Sequence, residues 1–258
     1  MLITKRAINY ENKDEIKLNP KILLIIPAYN EADGIEDVIR KVNDYKKNYK
    51  YILDYIVIND GSTDNEEEIL RKNDINHVEL VNNLGIGGAV QTGYIYALEN
   101  DYDIAVQFDG DGQHDIQSLP NLIEPLINDV ADFTVGSRFV SDSKSSFKST
   151  GARQAGIKIL SNLIYMLTGL RIKDVTSGYR AGNRKVIEQF VSRYPSQYPE
   201  PESYMHLIAK NIRVKEVGVR MFERTSGKSS IHLLDSVAYI FNVSISILIA
   251  SLIEREDK

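Results

Sequence analysis

The sequence predicts an α/β protein: an open, mostly parallel sheet with helices on both faces and a C-terminal apolar helix. Three observations carry this. Short apolar, β-branched runs recur along the first half of the chain, segments with helical spacing separate them, and each run ends in polar or glycine-rich residues.

Lys21 to Ile26 is an apolar run stopped by Pro27, as expected of a strand buried on both faces. Ile35 to Lys47 has helical spacing at Ile35, Val38, Ile39 and Val42, and Tyr55 to Ile58 gives the next strand, completing one βαβ unit. The alternation continues through a helix at Asn65 to Lys72, a strand at His77 to Val81, a helix at Gly87 to Leu98 and a strand at Ile104 to Phe108. A helix at Leu119 to Ile127 and a strand at Asp132 to Val135 follow. Beyond Gly136 the rhythm changes. Arg153 to Leu167 reads as a helix, Asp174 to Arg180 as a polar turn, Arg184 to Val191 as a short helix, Val214 to Phe222 as a strand, and the chain from Ile231 onward as a long helix.

The organisation expected is a polar leader over 1–20, one domain over 21–231 in two halves (21–136 and 137–231), and a terminal helix over 232–258. Of the 258 residues, 43% are hydrophobic and 26% charged, ordinary for a folded chain. The net charge of −5 is spread over both signs, and no Lys/Arg block is present that would neutralise a row of phosphates, which argues against nucleic acid as a partner. Cysteine is absent, so any metal must be held by oxygen or imidazole. The leader lacks the apolar stretch of a secretory signal, giving the expectation of a cytoplasmic location.

In open α/β sheets ligands bind beyond the carboxyl ends of the strands. The strand ends here are Pro27-Ala-Tyr-Asn-Glu31, Asn59-Asp-Gly-Ser-Thr-Asp64, Asn82-Asn-Leu-Gly85 and Asp109-Gly-Asp111, and they should converge on one cleft. Asp109 and Asp111 can share a hard divalent cation, Mg²⁺ or Mn²⁺, leaving its other positions to water and phosphate oxygens. The same four residues also read as a simple turn. Tyr29 can stack on a base or ribose, and Glu31 and Asp60 can accept its hydrogen bonds, while Asn30, Asp33, Thr63 and Asp64 stand where helix N-caps are expected. The Gly-x-Gly-x-x-Gly spacing of a dinucleotide site is absent around Gly85 to Gly88, which disfavours a dehydrogenase.

Six motifs, Pro-Ala-Tyr-Asn-Glu, Asn-Asp-Gly-Ser-Thr-Asp, Leu-Gly-x-Gly-Gly-Ala, Asp-Gly-Asp-Gly-Gln-His, Gly136-Ser-Arg138 and Asp174-Val-Thr-Ser-Gly-Tyr-Arg180, stand in this order over Ile22 to Ile231. In this the chain resembles family 2 glycosyltransferases, in the branch near dolichol-phosphate mannosyltransferases and bacterial polyprenyl-phosphate sugar transferases. The resemblance implies a GT-A fold, a nucleoside-diphosphate sugar donor, and inverting transfer to a lipid-linked or cell-envelope polysaccharide acceptor. It implies that Pro27, Tyr29, Glu31 and Asp60 hold the nucleoside. Asp109, Asp111 and Gln113 would surround the metal and diphosphate, and Arg138 and Arg153 would meet phosphate groups.

The chain departs from the mannosyltransferase pattern at Tyr198-Pro-Glu200-Pro-Glu202. A hydroxyl acceptor needs a general base, and an ionised phosphate acceptor does not. Glu202 is the first candidate base and Glu200 the second; the other reading of both is a solvated turn before a helix. Arg224 and Lys228 are candidates to close over the diphosphate or an acceptor phosphate, or form an exposed basic loop. His114 reads as a hydrogen-bonding neighbour of the metal loop. Ser236 to Ile253 carries no formal charge and has a broad apolar face, pointing to contact with a membrane surface, at the inner face of the cell membrane, or to a homodimer. Two other functions use part of this signature: a sugar nucleotidyltransferase, and a non-catalytic sugar-nucleotide-binding scaffold.

Overall fold

The computed structural model describes residues 19–140, 151–222 and 233–256, with backbone alone at 151–153, 233–237 and 255–256. Four parallel strands lie side by side: β1 (Lys21–Ala28), β2 (Ile52–Asn59), β3 (His77–Glu79) and β4 (Ile104–Gln107). They alternate with α1 (Ile35–Lys46), α2 (Glu66–Lys72) and α3 (Gly85–Glu99). A 3-10 turn at Ile116–Ser118 leads into α4 (Leu119–Ile127), followed by β5 (Phe133–Ser137), α5 (Gly151–Thr168), β6 (Arg180–Asn183) and α6 (Arg184–Ser192). The chain then forms α7 (Pro199–Ala209), β7 (Val214–Gly218) and α8 (Leu233–Glu256).

The strands form a single seven-stranded sheet in the order β3-β2-β1-β4-β6-β5-β7. β6 is antiparallel to both of its neighbours, so the sheet is mixed, with every other pairing parallel. This insertion joins the two expected halves: a strand from beyond residue 136 pairs with β4, the strand that leads to Asp109. No strand is expected from the sequence here: the polar turn ends at Arg180 and residues 181–183 carry no element, because Arg-Ala-Gly-Asn contains neither a β-branched nor an aromatic residue.

Successive side chains of a strand point to opposite faces, so a strand covered on both sides must be apolar throughout. Ile22 to Ile26 of β1 are fully buried. Leu23 and Ile25 join one core with α3, α5, α6, α7 and α8, while Ile22, Leu24 and Ile26 join the other with α1, α2 and α4. Each large aliphatic side chain contributes roughly 1.5–3 kcal/mol on burial, which makes β1 the axis of the fold. At Gly93 of α3, a Cβ would lie 2.1 Å from Ile25 Cγ2, so the missing side chain lets the helix rest directly on that strand.

The other elements differ from expectation chiefly at their ends. β3 stops at Glu79 and β7 at Gly218, where the expectation ran to Val81 and Phe222. The largest departure is α7, an eleven-residue helix that takes in Glu200 and Glu202, for which one of the two readings was a solvated turn before a helix. Its two prolines occupy the first turn, where a missing N–H costs no hydrogen bond, and Ser203 to Leu207 are buried.

Asp132 fastens β5 to the loop before β7. It accepts from Arg213 Nε at 3.0 Å and from the Arg213 backbone N–H at 2.9 Å. Burial alone would raise its carboxyl, but the Arg213 hydrogen bonds, helped by Asn183 and Lys185, hold it down to about 2. A depressed carboxyl contributes stability above its unfolded value, near 3.9, that is lost as the pH falls through the folded value. Asp132→Asn is therefore expected to flatten the stability profile between about pH 4 and pH 2; urea unfolding across that range checks it, and a wild-type slope in the variant would contradict it.

Candidate active site

At the carboxyl end of the sheet, the loops after β1, β2 and β4 surround a cleft of about 420 Å³ together with the start of α3. Tyr29, Glu31 and Asp60 line one part, and Asp109 and Asp111 another, with Pro27 beneath. These six expected residues are thus brought to one place.

Hydrogen bonds between loops build this wall. Asn30 adopts a left-handed φ of 56°, and its Oδ1 accepts from the Thr63 backbone at 2.8 Å while its own N–H donates to Ser62 Oγ at 3.0 Å. Asp64 Oδ2 accepts from Ala32 N–H at 3.1 Å, and buried Glu66 accepts from Glu31 N–H at 2.8 Å. The capping expected of Asn30 and Asp33 is not what they do. α1 begins at Gly34 without a side-chain cap, and Asn30 instead ties the first loop to the second. Asp60, almost wholly buried, accepts from Leu84 N–H at 2.7 Å, orienting the turn into α3. Burial raises its carboxyl, opposed by the Leu84 and Gly85 N–H groups.

The Asp109–Asp115 loop is braced from behind. His114 Nδ1 accepts the Asp109 N–H at 3.0 Å, its ring stacks on Tyr179 at 4.5 Å, and burial lowers it to about 4. The imidazole is therefore neutral, with its proton on Nε2, 3.5 Å from Asp109 Oδ2. Asp111 Oδ1 accepts from Gln113 N–H at 3.0 Å, and Gln113 C=O accepts from Phe222 N–H at 2.8 Å, which brings the end of the 219–222 segment against the loop. Gln113 itself is not among the cleft-lining residues. Among the described residues no group of three or more His, Asp or Glu side chains converges as a metal cage. The donor set at the cleft is two carboxylates, which suits Mg²⁺ or Mn²⁺ binding that leaves several positions to water and phosphate.

The acceptor side reaches Asp109 through two contacts. A Cβ on Gly178 would lie 2.8 Å from Asp109 Oδ2, so only glycine lets the 174–179 loop sit against this carboxylate. Gln107 Nε2 donates to Asp109 Oδ1 at 3.3 Å and also hydrogen-bonds Glu200. Burial raises the Glu200 carboxyl, opposed by the Arg180 guanidinium. Of the two candidate bases, Glu200 stands near the metal loop, and Glu202 is turned to α8, where it accepts from Ser246 Oγ at 2.6 Å.

Arg138 is placed differently from its expected role at phosphate. Its fork is engaged bidentately by fully buried Asp174, Nε–Oδ2 2.8 Å and Nη2–Oδ1 2.7 Å, fixing the 174–179 loop to the end of β5. Arg224, Lys228 and the side chain of Arg153 lie outside the described residues. Sequence reasoning passed over Gln107, Gly178 and Arg180 as site-building residues; Gly178 and Arg180 sat inside a quoted motif and Gln107 in the strand before one, but the role of each is a contact between segments distant in the chain.

The family profile described as Glycosyl transferase family 2 matches residues 23–191. The chain belongs to this family. Similar relatives of this glycosyltransferase include the UDP-N-acetylglucosamine–dolichyl-phosphate N-acetylglucosaminyltransferase of Methanococcus voltae, 33% identical over 218 residues covering 77% of this chain and 84% of the relative. The polyprenol monophosphomannose synthase of Mycolicibacterium smegmatis is 29% identical over 186 residues, covering 69% and 68%. Glucosyl-3-phosphoglycerate synthase from Mycobacterium tuberculosis, solved with Mn²⁺, UDP-glucose and phosphoglyceric acid, superposes with a TM-score of 0.65 at 17% identity, covering 93% of this chain and 81% of that one. At that identity the likeness establishes the fold, GT-A.

Arg180 is the buried cation of the glycosyltransferase's acceptor side. It donates to Ser177 C=O at 2.6 Å, Ser203 Oγ at 2.8 Å and Glu200 C=O at 2.7 Å. Arg180→Met leaves these acceptors unpaired and is expected to cost about 3–5 kcal/mol. Urea unfolding measures the loss, and a cost below about 1 kcal/mol would show that α7 holds its place without the guanidinium.

Proposed function

We propose that this enzyme transfers a sugar from a UDP-sugar to the phosphate of a polyprenyl-phosphate acceptor, with inversion at the anomeric carbon. The observation that carries the reading is the single cleft in which Tyr29, Glu31 and Asp60 face Asp109 and Asp111. The relatives, a dolichyl-phosphate N-acetylglucosaminyltransferase and a polyprenol monophosphomannose synthase, support the acceptor class. The solved neighbours, crystallised with UDP and Mn²⁺, support the donor and metal.

Tyr29 stacks on the base, while Glu31 and Asp60 accept hydrogen bonds from base or ribose. Asp109 and Asp111 hold Mg²⁺ or Mn²⁺, which when bound offsets the charge of the departing diphosphate. Gly85 and Ile86, in the first turn of α3, place a helix N-terminus at the cleft, favourable to that diphosphate. The acceptor oxygen forms the new bond to the anomeric carbon as the bond to the diphosphate oxygen breaks. An ionised phosphate brings no proton that must be removed, which agrees with a Glu202 turned away to Ser246.

The alternative, a hydroxyl acceptor on an envelope polysaccharide, is favoured by one observation: Glu200 lies beside Gln107 and Asp109 with its carboxyl raised by burial, as a general base requires.

Calorimetry with UDP-, GDP- and dTDP-sugars, with and without Mn²⁺, is expected to show metal-dependent binding of a UDP-sugar that disappears in Asp111→Asn. Binding of none of them would sink the proposal. With donor and polyprenyl phosphate, Glu200→Gln is expected to retain turnover within about tenfold; a wild-type enzyme inactive on polyprenyl phosphate but active on a glycan hydroxyl, with a drop of about 10²–10⁴ in Glu200→Gln, would instead assign Glu200 as general base for a hydroxyl acceptor.

A further inference from the structure

A second cavity, of about 370 Å³, lies between α5 and the 171–173 loop, away from the cleft. Three cations line it, Lys158, Arg171 and Lys173, with Ser161 and Asn162 as hydrogen-bonding groups and no carboxylate among its lining residues. Among the described residues none of the three cations has an ion pair; Arg171 rests over the Tyr165 ring at 4.5 Å. In a chain of net charge −5, this is a local concentration of unpaired positive charge.

Apolar surface adjoins it. On α5, the cavity takes the stripe Gln154, Lys158, Ser161 and Tyr165, spaced as one helical face. The neighbouring stripe presents Ile159, 53% exposed, and Met166, 75% exposed. Beyond that stripe, α8 packs on α5 at Gly156, where a Cβ would lie 2.4 Å from Ile240 Cδ1. α8 then turns Phe241, Ile245, Leu248 and Leu252 to solvent, and residues 238–253 carry no charged side chain. Cations, two exposed α5 apolar residues and the α8 stripe follow one another around a single side of the molecule. No described helix is long and apolar enough to cross a membrane.

We propose that this side docks on an anionic lipid bilayer, with the Lys158/Arg171/Lys173 cavity seating lipid phosphate and Met166, Ile159 and the α8 stripe entering the headgroup boundary. Charge decides between occupants. An interfacial helix needs cations beside its apolar face, and here they come from α5 and its following loop. A second copy of the chain would present the same apolar and cationic face, whose adjoining carboxylate, Glu216, is already engaged by the Lys173 and Asp174 N–H groups. The inference does not depend on the proposed donor or acceptor, because docking is read without turnover.

Co-sedimentation of the full chain with vesicles of phosphatidylcholine alone, and of phosphatidylcholine mixed with phosphatidylglycerol, tests it. Binding is expected to the mixed vesicles and to fall as salt is raised. Lys158→Gln with Lys173→Gln, both exposed positions, should weaken it on the order of 25-fold, from about fivefold per cation near an anionic surface. Met166→Asp with Leu252→Asp should also weaken it, with unchanged melting temperatures confirming that each variant is folded. Equal binding to both vesicle types, or mixed-vesicle binding that survives the glutamine pair, would overturn the proposal. So would absence of vesicle binding with a concentration-dependent dimer dispersed by Leu252→Asp, which would make the face a contact between copies.

Discussion

The Arg180 guanidinium, 1% exposed, is the interaction through which the two sides of the active site share one geometry. A buried cation is tolerated only if its donors are satisfied. Here carbonyls of Val175, Ser177 and Glu200 and the hydroxyls of Ser203 and Tyr204 take them, while the guanidinium lies over the Tyr204 and Phe133 rings, 5.0 and 5.9 Å from their centroids. Arg180 also opens β6, opposite Gln107 of β4. This residue therefore binds the 174–179 loop and α7 through its side chain, and through its backbone the strand that delivers Asp109. Residues from before and after position 136 are coupled by this contact within one sheet.

The donor side is organised on a different principle. Its loops are short, exposed and rich in Asn, Asp and Ser, and they gain order by hydrogen-bonding one another across the strand ends. Asn30 and Asp64 each satisfy backbone N–H groups of the neighbouring loop, and Asp60 does so for the turn into α3. Such a wall is preorganised before any ligand arrives, so less of the binding free energy goes into ordering loops. His114 serves the same end at the Asp109–Asp115 loop: a neutral ring, packed between Phe108 and Tyr179, fixes the Asp109 backbone.

α7 and α8 connect the chemistry to the apolar side of the molecule. Glu202 reaches Ser246, and His206 with Arg193 meets buried Glu254. Because α7 also carries Glu200, the helix that shows apolar surface to solvent is packed directly on the helix that borders the metal loop.

Much of this was legible in the sequence. Runs such as Lys21 to Ile26 can be satisfied only between two covered faces, and helical spacing at Ile35, Val38, Ile39 and Val42 allows only one orientation, so the parallel half of the sheet and the convergence of Tyr29, Asp60, Asp109 and Asp111 follow from local pattern. What depends on contacts distant in sequence was not legible. Arg-Ala-Gly-Asn becomes a strand because β4 and β5 leave a slot for it, and Tyr-Pro-Glu-Pro-Glu becomes a helix because Arg180 and the core receive it. The fork of Arg138 is taken by Asp174, thirty-six positions away, rather than reserved for phosphate. The sequence by itself determined which strands are buried and which loops gather at their ends, since both follow from periodicity over a few residues. Only the tertiary structure decided which charged side chains serve the site and which serve the fold, because a buried charge goes to whichever partner can satisfy it, however far away in the chain.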